Sequence, residues 1–376
     1  MLDKLKVLIT GGHLTPGLAV IDEAILNFPD QFEFVWLGRV LTQHETGQKA
    51  GEEKAVTKRQ IRFIPFDSGK TSENKISMAG KVFMAYFLAK KILKKERPDI
   101  FLSFGGYLAV PVAQAASKLK IPIITHEQTR VLGKANRLIG QSAAVIALSY
   151  KQTKIPNNLK KARVIVTGNP VRASLFVPND EPPLWWPGQR INLPILYISG
   201  GSQGAQAINQ VVAHIIPELS QKFFILHQVG PATTNHDYVA KYLQLAKERG
   251  ANLNNYYVRP FIKENELRFL YPRFNLAVAR SGANTVTELA AFQIPTLYIP
   301  LPTANYNEQL LNAEFYVKKG AAFLLEQSEL SPDSLRQKII QLNRYQTTLR
   351  SKLRNLDLDL TASKQLLHLL KEVGEK

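Results

Sequence analysis

Two segments of this 376-residue chain set paired glycines between an apolar run and a stretch with helical spacing. The first is Thr10-Gly11-Gly12-His13, entered from Val7-Leu8-Ile9. The second is Gly200-Gly201-Ser202-Gln203-Gly204, entered from Ile195-Leu196-Tyr197-Ile198. A glycine corner that opens a helix is a ready anion site. Free backbone N–H groups and the positive end of the helix dipole point at the same place. Two such corners, almost half the chain apart, predict two phosphate-bearing ligands, one per half. Gly11 and Gly12 let backbone come close to a ligand. His13 stands at the tip, where an imidazole can serve as general base toward a substrate hydroxyl. A lone histidine in a loop also reads as a structural hydrogen bonder. The G-x-G-x-x-G spacing of a dinucleotide fingerprint is absent.

Other polar turns follow apolar runs in the same way. Ser103-Phe104-Gly105-Gly106-Tyr107 comes after one, and His126-Glu127-Gln128 after the next. Gly168-Asn169-Pro170-Val171-Arg172 closes the first half, and an arginine there suits a diphosphate because it offers several donors and stays charged. In the second half, Arg280-Ser281-Gly282-Ala283-Asn284-Thr285-Val286-Thr287-Glu288 leaves a strand and starts a helix. Glu288 falls about a turn and a half into that helix, within reach of ribose or sugar hydroxyls. Asn307-Glu308-Gln309 and Asn312-Ala313 carry amides and a carboxylate that can fix a sugar through paired hydrogen bonds; alone, Glu308 and Gln309 read as a solvated helix face. Asp357-Leu358-Asp359 matches a D-x-D metal pattern but lies far from every glycine turn, so it reads as loop or helix surface. No obligatory protein-bound metal is expected. Helix dipoles and arginine would neutralise the phosphates.

These turns need a scaffold that brings strand ends together. Apolar runs at Lys6–Ile9, Glu33–Leu37, Ile61–Pro65, Ile100–Phe104, Ile121–Thr125, Ala144–Leu148 and Arg163–Thr167 alternate with helical spacing, for example Gly17–Leu26, Val110–Leu119 and Leu132–Ile139. The alternation predicts a doubly wound parallel sheet, which binds ligands at the carboxyl ends of its strands. It breaks at Val177–Leu193, where prolines cluster with acidic residues and tryptophans; this reads as an inter-domain linker or as an ordinary loop. It resumes with strands at Ile195–Ser199, Phe223–Gln228, Tyr256–Arg259, Leu276–Ala279, Thr296–Ile299 and Ala322–Leu325. Ser331-Pro332 is an N-cap and first turn. A last helix spans about Thr361–Val373.

The length suits two domains, and 45% hydrophobic with 21% charged residues describes a globular chain. Lys plus Arg is 48 against 30 Asp plus Glu, a formal charge of +18. That excess favours a polyanion, an anionic membrane surface or phosphorylated substrates, or it reflects general solubility. There is no basic tail, aromatic RNA-binding strand or zinc spacing, so no nucleic-acid partner is expected. With no cysteine, disulfides and thiolate chemistry are excluded, in keeping with a reducing cytoplasm. No signal peptide is read ahead of the first strand, and no apolar run approaches the ~20 residues that span a bilayer. Residues Ile76–Lys95 mix Met, Phe, Tyr and Leu with five lysines, and Lys75 precedes them. They read either as a helix docking on an anionic membrane face or as a buried-face helix with a lysine-rich exposed side.

Thr-Gly-Gly-His with Pro-Gly-Leu-Ala-Val, Phe-Gly-Gly-Tyr, His-Glu-Gln, Gly-Asn-Pro-Val-Arg, Gly-Gly-Ser-Gln-Gly-Ala and Arg-Ser-Gly-Ala with Thr-Val and Glu occur in one order between residue 10 and about 313. In that order they resemble the bacterial MurG-type glycosyltransferases, the undecaprenyl-diphospho-muramoylpentapeptide N-acetylglucosaminyltransferases. The resemblance implies a GT-B fold, an α/β architecture of two Rossmann-like doubly wound domains facing across a cleft. It implies an acceptor and membrane-side domain over 1–172, with a helix at about 357–376 packing back on it, and a UDP-sugar domain over 173–356. The donor would be UDP-GlcNAc. Thr10, Gly11, Gly12, His13, Thr129, Arg172, Ser202, Gln203, Gly204, Ile262, Ala283, Glu288 and Gln309 are the implied donor contacts. Among them Ser202, Gln203 and Arg172 lie at the phosphates, Ile262 offers backbone to uracil, Glu288 takes the ribose and Gln309 the sugar hydroxyls. Gly11, Gly12, Gly105, Gly106, Tyr107, His126, Glu127 and Gln128 would hold the undecaprenyl-diphosphate-linked muramoyl peptide. His13 and Glu288 are the implied catalytic pair. The enzyme would be peripheral, on the cytoplasmic face of the cell membrane, beside other wall-synthesis proteins.

Four features depart from the family pattern. The first glycine loop is short, Thr129 replaces an asparagine, Lys263-Glu264 replaces an acidic pair, and Glu308 stands where the family has Gln or His. Two other readings stand beside this one. Another GT-B enzyme, a glycolipid glycosyltransferase or a UDP-GlcNAc 2-epimerase, fits the glycine corners; the epimerase needs a carboxylate cluster that is not apparent. A basic non-catalytic binding protein would bind no UDP-sugar.

Overall fold

The computed structural model describes residues 4–10, 14–39, 51–66, 75–159, 161–187, 191–201, 203–233, 236–304 and 307–375, with backbone alone at 51 and 75–82. The chain divides into two compact units, residues 1–173 with 359–376, and residues 174–358.

The first unit contains β1 (Leu5–Thr10), α1 (Leu14–Asn27), β2 (Phe32–Gly38), α2 (Gly51–Thr57), β3 (Arg62–Pro65), α3 (Lys75–Glu96), β4 (Ile100–Ser103), α4 (Ala109–Lys118), β5 (Ile123–Glu127), α5 (Lys134–Ile139), β6 (Val145–Leu148) and β7 (Arg163–Val166). All strand pairs are parallel, in the order β3-β2-β1-β4-β5-β6-β7. Its central strands carry apolar runs, Val7–Ile9 in β1 and Ile100–Leu102 in β4, because helices cover both faces of the sheet. Leu8, Leu37, Phe101 and Ile146 face one core with Ala89 and Leu93 of α3 and Val112 of α4. Val7, Ile9, Trp36, Leu102 and Ala147 face the other with Val20 and Ile21 of α1. The edge strands β3 and β7 are partly exposed and carry Arg62, Pro65 and Arg163, which discourage pairing with another chain.

The second unit contains β8 (Ile195–Ser199), α6 (Gln206–Lys222), β9 (Phe224–Gln228), α7 (Tyr238–Glu248), β10 (Tyr256–Arg259), α8 (Glu264–Leu270), β11 (Leu276–Ala279), α9 (Ala283–Ala291), β12 (Thr296–Tyr298), α10 (Glu308–Lys318), β13 (Phe323–Leu324), α11 (Pro332–Arg344) and α12 (Gln346–Arg354). Its strands are again parallel, ordered β10-β9-β8-β11-β12-β13. The last helix, α13 (Ala362–Gly374), lies on the first unit, where Leu366, Leu367, Leu369 and Leu370 join the core of β1 and α1.

Strand order reverses once in each sheet, between β1 and β4 and between β8 and β11. At these points Thr10 is in register with Ser103, and Ser199 with Ala279. Connections leave such neighbouring strands in opposite directions and open a crevice at their carboxyl ends. The turns that begin after Thr10, Ser103, Ser199 and Ala279 therefore start in pairs, one pair at each reversal.

Every predicted strand is present, with ends within two residues of expectation. The proline-rich stretch differs. The chain passes between units at Ala173–Ser174, ahead of the prolines, and Val177–Pro187 belongs to the second unit. Trp186 packs its ring 5.3 Å from Phe224 and 5.5 Å from Phe269. Trp185 Nε1 donates to Glu266 at 2.7 Å, and Arg268 donates to the carbonyls of Val177 and Pro178. Two tryptophans bring too much apolar surface to leave in a free linker.

Candidate functional site

In the second unit the corner after β8 is built from glycines for two different reasons. Gly204 has φ +74°, and an added Cβ would lie 2.3 Å from the Val229 carbonyl oxygen. Gly230 has φ +98° and would clash with the Gln203 carbonyl at 2.7 Å. Backbone packs on backbone here, which only glycine permits. Gly201, at φ +82°, meets nothing within 4 Å among the described residues, and neither does Gly282 at the start of α9. These two glycines lie beside the strand reversal with open space next to them. Ser199 Oγ accepts from the Gly201 N–H at 3.1 Å and shapes the turn. Gln203 is exposed. Ser202 lies outside the described residues.

Behind the corner, β9 ends in two buried polar residues. His227 Nδ1 is 2.9 Å from Tyr256 Oη and Nε2 is 3.1 Å from Asn209 Oδ1. Asn209 Nδ2 donates to the Val229 carbonyl at 2.8 Å, which leaves Oδ1 as acceptor for a proton on His227 Nε2. Burial pushes the His227 pKa down to about 3, so the ring is neutral. Gln228 bonds to Tyr197, Gly201 and Ile262, so the Ile262 amide is already engaged.

After β11, Arg280 is buried and donates to the carbonyls of Ile299 and Pro300, both at 2.9 Å; burial lowers its pKa. Ser281 Oγ donates to the Gln309 carbonyl at 2.7 Å, and Asn312 Nδ2 to the Ser281 carbonyl at 3.1 Å. The Gln309 side chain accepts from the Leu301 N–H at 3.0 Å. Ala283 opens α9, and Glu288 is buried one face along it, accepting from Tyr271 Oη at 2.8 Å. The structure thus gathers Gln203, Gly204, Ile262, Ala283, Glu288 and Gln309 in one unit, on turns and helices that follow β8, β10, β11 and β12.

In the first unit, Thr10 ends β1 with its hydroxyl buried and without a hydrogen bond among the described residues. Gly11, Gly12 and His13 lie outside the described residues. Gly105 and Gly106 have φ +78° and +80°, and Ser103 Oγ accepts from the Gly105 N–H at 3.0 Å. A serine closing the strand and accepting from a left-handed glycine two residues on is the same device as at Ser199. The Arg39 guanidinium lies 4.1 Å over the Tyr107 ring. His126 Nε2 is 2.9 Å from the Gly168 carbonyl. Glu127 accepts from the N–H and hydroxyl of Thr129, the N–H of Gly133 and Asn136 Nδ2, at 2.8–3.0 Å. Four donors make it the clamp of the β5–α5 loop, beside buried Gln128. Arg172 is half-buried, one residue ahead of the crossing at Ala173–Ser174.

Among the described residues no three His, Asp or Glu side chains converge as metal ligands. Asp359 instead accepts from Thr361 and Gln365 at the start of α13. Burial raises its pKa, but these donors outweigh burial and hold it low.

Residues 9–148 match the glycosyltransferase family 28 N-terminal domain, and residues 195–368 the family 28 C-terminal domain. A Treponema denticola protein named UDP-N-acetylglucosamine--N-acetylmuramyl-(pentapeptide) pyrophosphoryl-undecaprenol N-acetylglucosamine transferase is 34% identical over 333 residues, covering 86% of this chain and 83% of its own. Its Lachnoclostridium phytofermentans namesake is 32% identical over 336 residues, covering 88% and 87%. The chain belongs to the MurG-type family. The crystal structure of Acinetobacter baumannii MurG superposes with a TM-score of 0.69 at 27% identity, covering 98% of this chain and 99% of that one. This identifies the two parallel-sheet units as GT-B domains and the chain as an N-acetylglucosaminyltransferase. A Neisseria meningitidis UDP-GlcNAc 2-epimerase bound to UDP-GlcNAc, at 14% identity and a TM-score of 0.64 over 98% and 100% of the chains, shares the fold.

Beyond the residues the MurG-type resemblance supplies, the structure adds Gln228, Tyr271 and Asn136. Gln228 had a readable signal, a polar residue that with His227 ends the apolar run Phe223–Leu226. Asn136 ties the His126 carbonyl and Glu127 to Thr125, and would also meet any side chain at Gly105. Neither it nor Tyr271 is marked by local spacing.

Proposed function

We propose that this protein transfers GlcNAc from UDP-GlcNAc to the muramic-acid 4-hydroxyl of the undecaprenyl-diphosphate-linked muramoyl peptide, converting lipid I to lipid II in peptidoglycan synthesis. The observation that carries the donor side is the register of Ser199 with Ala279. It brings the Gly200–Gly204 corner and the Arg280–Ala283 turn to one strand reversal in the unit that matches the family's C-terminal domain. The corner N–H groups and Gln203 are assigned to the diphosphate there, and the family resemblance adds Ser202 and Arg172 as phosphate contacts. The Ile262 backbone meets uracil, Ala283 and Glu288 the ribose, and Gln309 the sugar hydroxyls. Gly11, Gly12, Gly105, Gly106, Tyr107, His126, Glu127 and Gln128 are assigned to the acceptor-diphosphate side.

The reaction inverts the anomeric centre. The acceptor oxygen attacks C1 as the C1–O bond to the diphosphate breaks, and the hydroxyl proton passes to His13. UDP leaves from the opposite face, so an α-linked donor gives a β-linked product. Charge growing on the leaving diphosphate is met by the corner donors, Ser202 and Arg172, each worth on the order of 3 kcal/mol in the transition state. No metal takes part in this scheme.

The lipid acceptor places the enzyme at the cytoplasmic face of the membrane. The face of α3 supports peripheral docking. Ala85, Ala89 and Leu93 are buried, whereas Phe83 and Met84 are 64% and 72% exposed and Phe87 and Leu88 50% and 43%. At helical spacing this apolar stripe runs into Lys91, Lys94 and Lys95. Among the described residues no helix is long and apolar enough to cross a membrane.

Titration calorimetry tests the donor. UDP-GlcNAc should give a saturable heat, with UDP-glucose at least about tenfold weaker, a difference of ~1.4 kcal/mol. Equal binding of the two sugars, or no heat from UDP-GlcNAc, would overturn the donor assignment.

A further inference from the structure

We infer that Gln228 is a positioning residue that sets the spacing between two backbone grips on the nucleotide, the glycine corner after β8 and Ile262 after β10. The inference rests on the donor reading above. β9 lies between β8 and β10, and Gln228 is in register with Ser199 on one side and Arg259 on the other. The corner begins one residue beyond Ser199, and Ile262 lies three beyond Arg259. A side chain at the end of the middle strand is therefore the one that can touch both.

It does so from both ends of its amide. Gln228 Nε2 donates to the Gly201 carbonyl at 2.9 Å. Oε1 accepts from the Ile262 N–H at 3.3 Å and from Tyr197 Oη at 3.2 Å. The two backbone partners fix which end is which, because a carbonyl needs the N–H₂ and an N–H needs the oxygen. The side chain is 4% exposed, and Tyr197 is held in turn by stacking on Phe274 at 4.6 Å. Gly201 has φ +82°; Ser199 Oγ accepts from its N–H, and its carbonyl accepts from the Gly204 N–H at 3.1 Å within the corner and from Gln228 Nε2, so Gln228 is the side chain that ties the corner to Ile262. Gln228 is too deep to be a ligand contact. It acts through the groups it holds.

A spacing role has a signature that general loss of structure lacks. A ligand that spans both grips must suffer more than one that uses a single grip. The test titrates UDP, uridine and inorganic pyrophosphate into the full-length chain and its Gln228→Met variant. UDP affinity should fall about tenfold, the equivalent of one or two lost hydrogen bonds, while uridine and pyrophosphate change less than about threefold. Gln228→Asn, one methylene too short to reach both partners yet polar enough for the site, should give the same split and serves where the Met variant does not fold. Parallel weakening of all three ligands, or no change in any, overturns the inference. A wild-type chain that binds no UDP overturns the donor reading beneath it, and is seen before any variant is made.

Discussion

His227 sits inside the second unit as a neutral ring between Tyr256 and Asn209, and its neutrality has a consequence for stability. Burial lowers its pKa from 6.5 to about 3. The unfolded chain therefore takes up a proton that the folded chain refuses. The contribution is fully present above about pH 6.5 and is lost as the pH falls from there toward 3, at about 1.4 kcal/mol per unit. Urea unfolding of the second unit should show this slope in the wild type and a flatter one in His227→Gln; identical slopes would contradict it. The same residue scale shows what the sequence could and could not reveal. Glycine corners announce themselves by residue type. Gln228 and Tyr271 act on partners 34 and 17 residues away, Ile262 and Glu288, through contacts that exist only once the sheet has formed. Glu127 had looked like a ligand residue for its place at a strand end. Four internal donors show that it also shapes the loop on which Thr129 stands.

At the scale of elements, strands were legible because parallel strands buried on both faces read as apolar runs, as β4 and β8 do up to their closing serines. The proline-rich segment misled because prolines and acids mark both linkers and surface straps. Its tryptophans, which decide between the two, find their partners on β9 and α8. Helix α3 was ambiguous for a related reason: composition cannot say which apolar residues face inward. The structure turns alanines and Leu93 inward and leaves Phe83 and Phe87 out, with their rings in edge contact at 4.7 Å. Replacing both with serine should cut co-sedimentation with phosphatidylglycerol vesicles about tenfold or more while leaving UDP binding in solution unchanged. Added salt should weaken wild-type docking through its lysines. Vesicle binding that survives the double substitution would remove α3 as the docking face.

At the scale of the molecule, one plan is used twice. Each unit is a parallel sheet whose strand order reverses once, and each reversal is lined by a turn that the sequence marks with glycine and serine. The twofold plan was visible in the alternation of apolar runs. What each copy binds was not; that comes from the residues set around the corners and from family membership. The division of labour, donor on the second unit and lipid diphosphate on the first, is the central claim. The most direct measurement follows labelled GlcNAc from UDP-GlcNAc to a lipid I analogue, with the product's anomeric configuration read by NMR. The account predicts one β-linked GlcNAc on the muramic-acid 4-oxygen for each UDP released. UDP release without label on the lipid, an α-linked product, or conversion of the donor to its C2 epimer would contradict it.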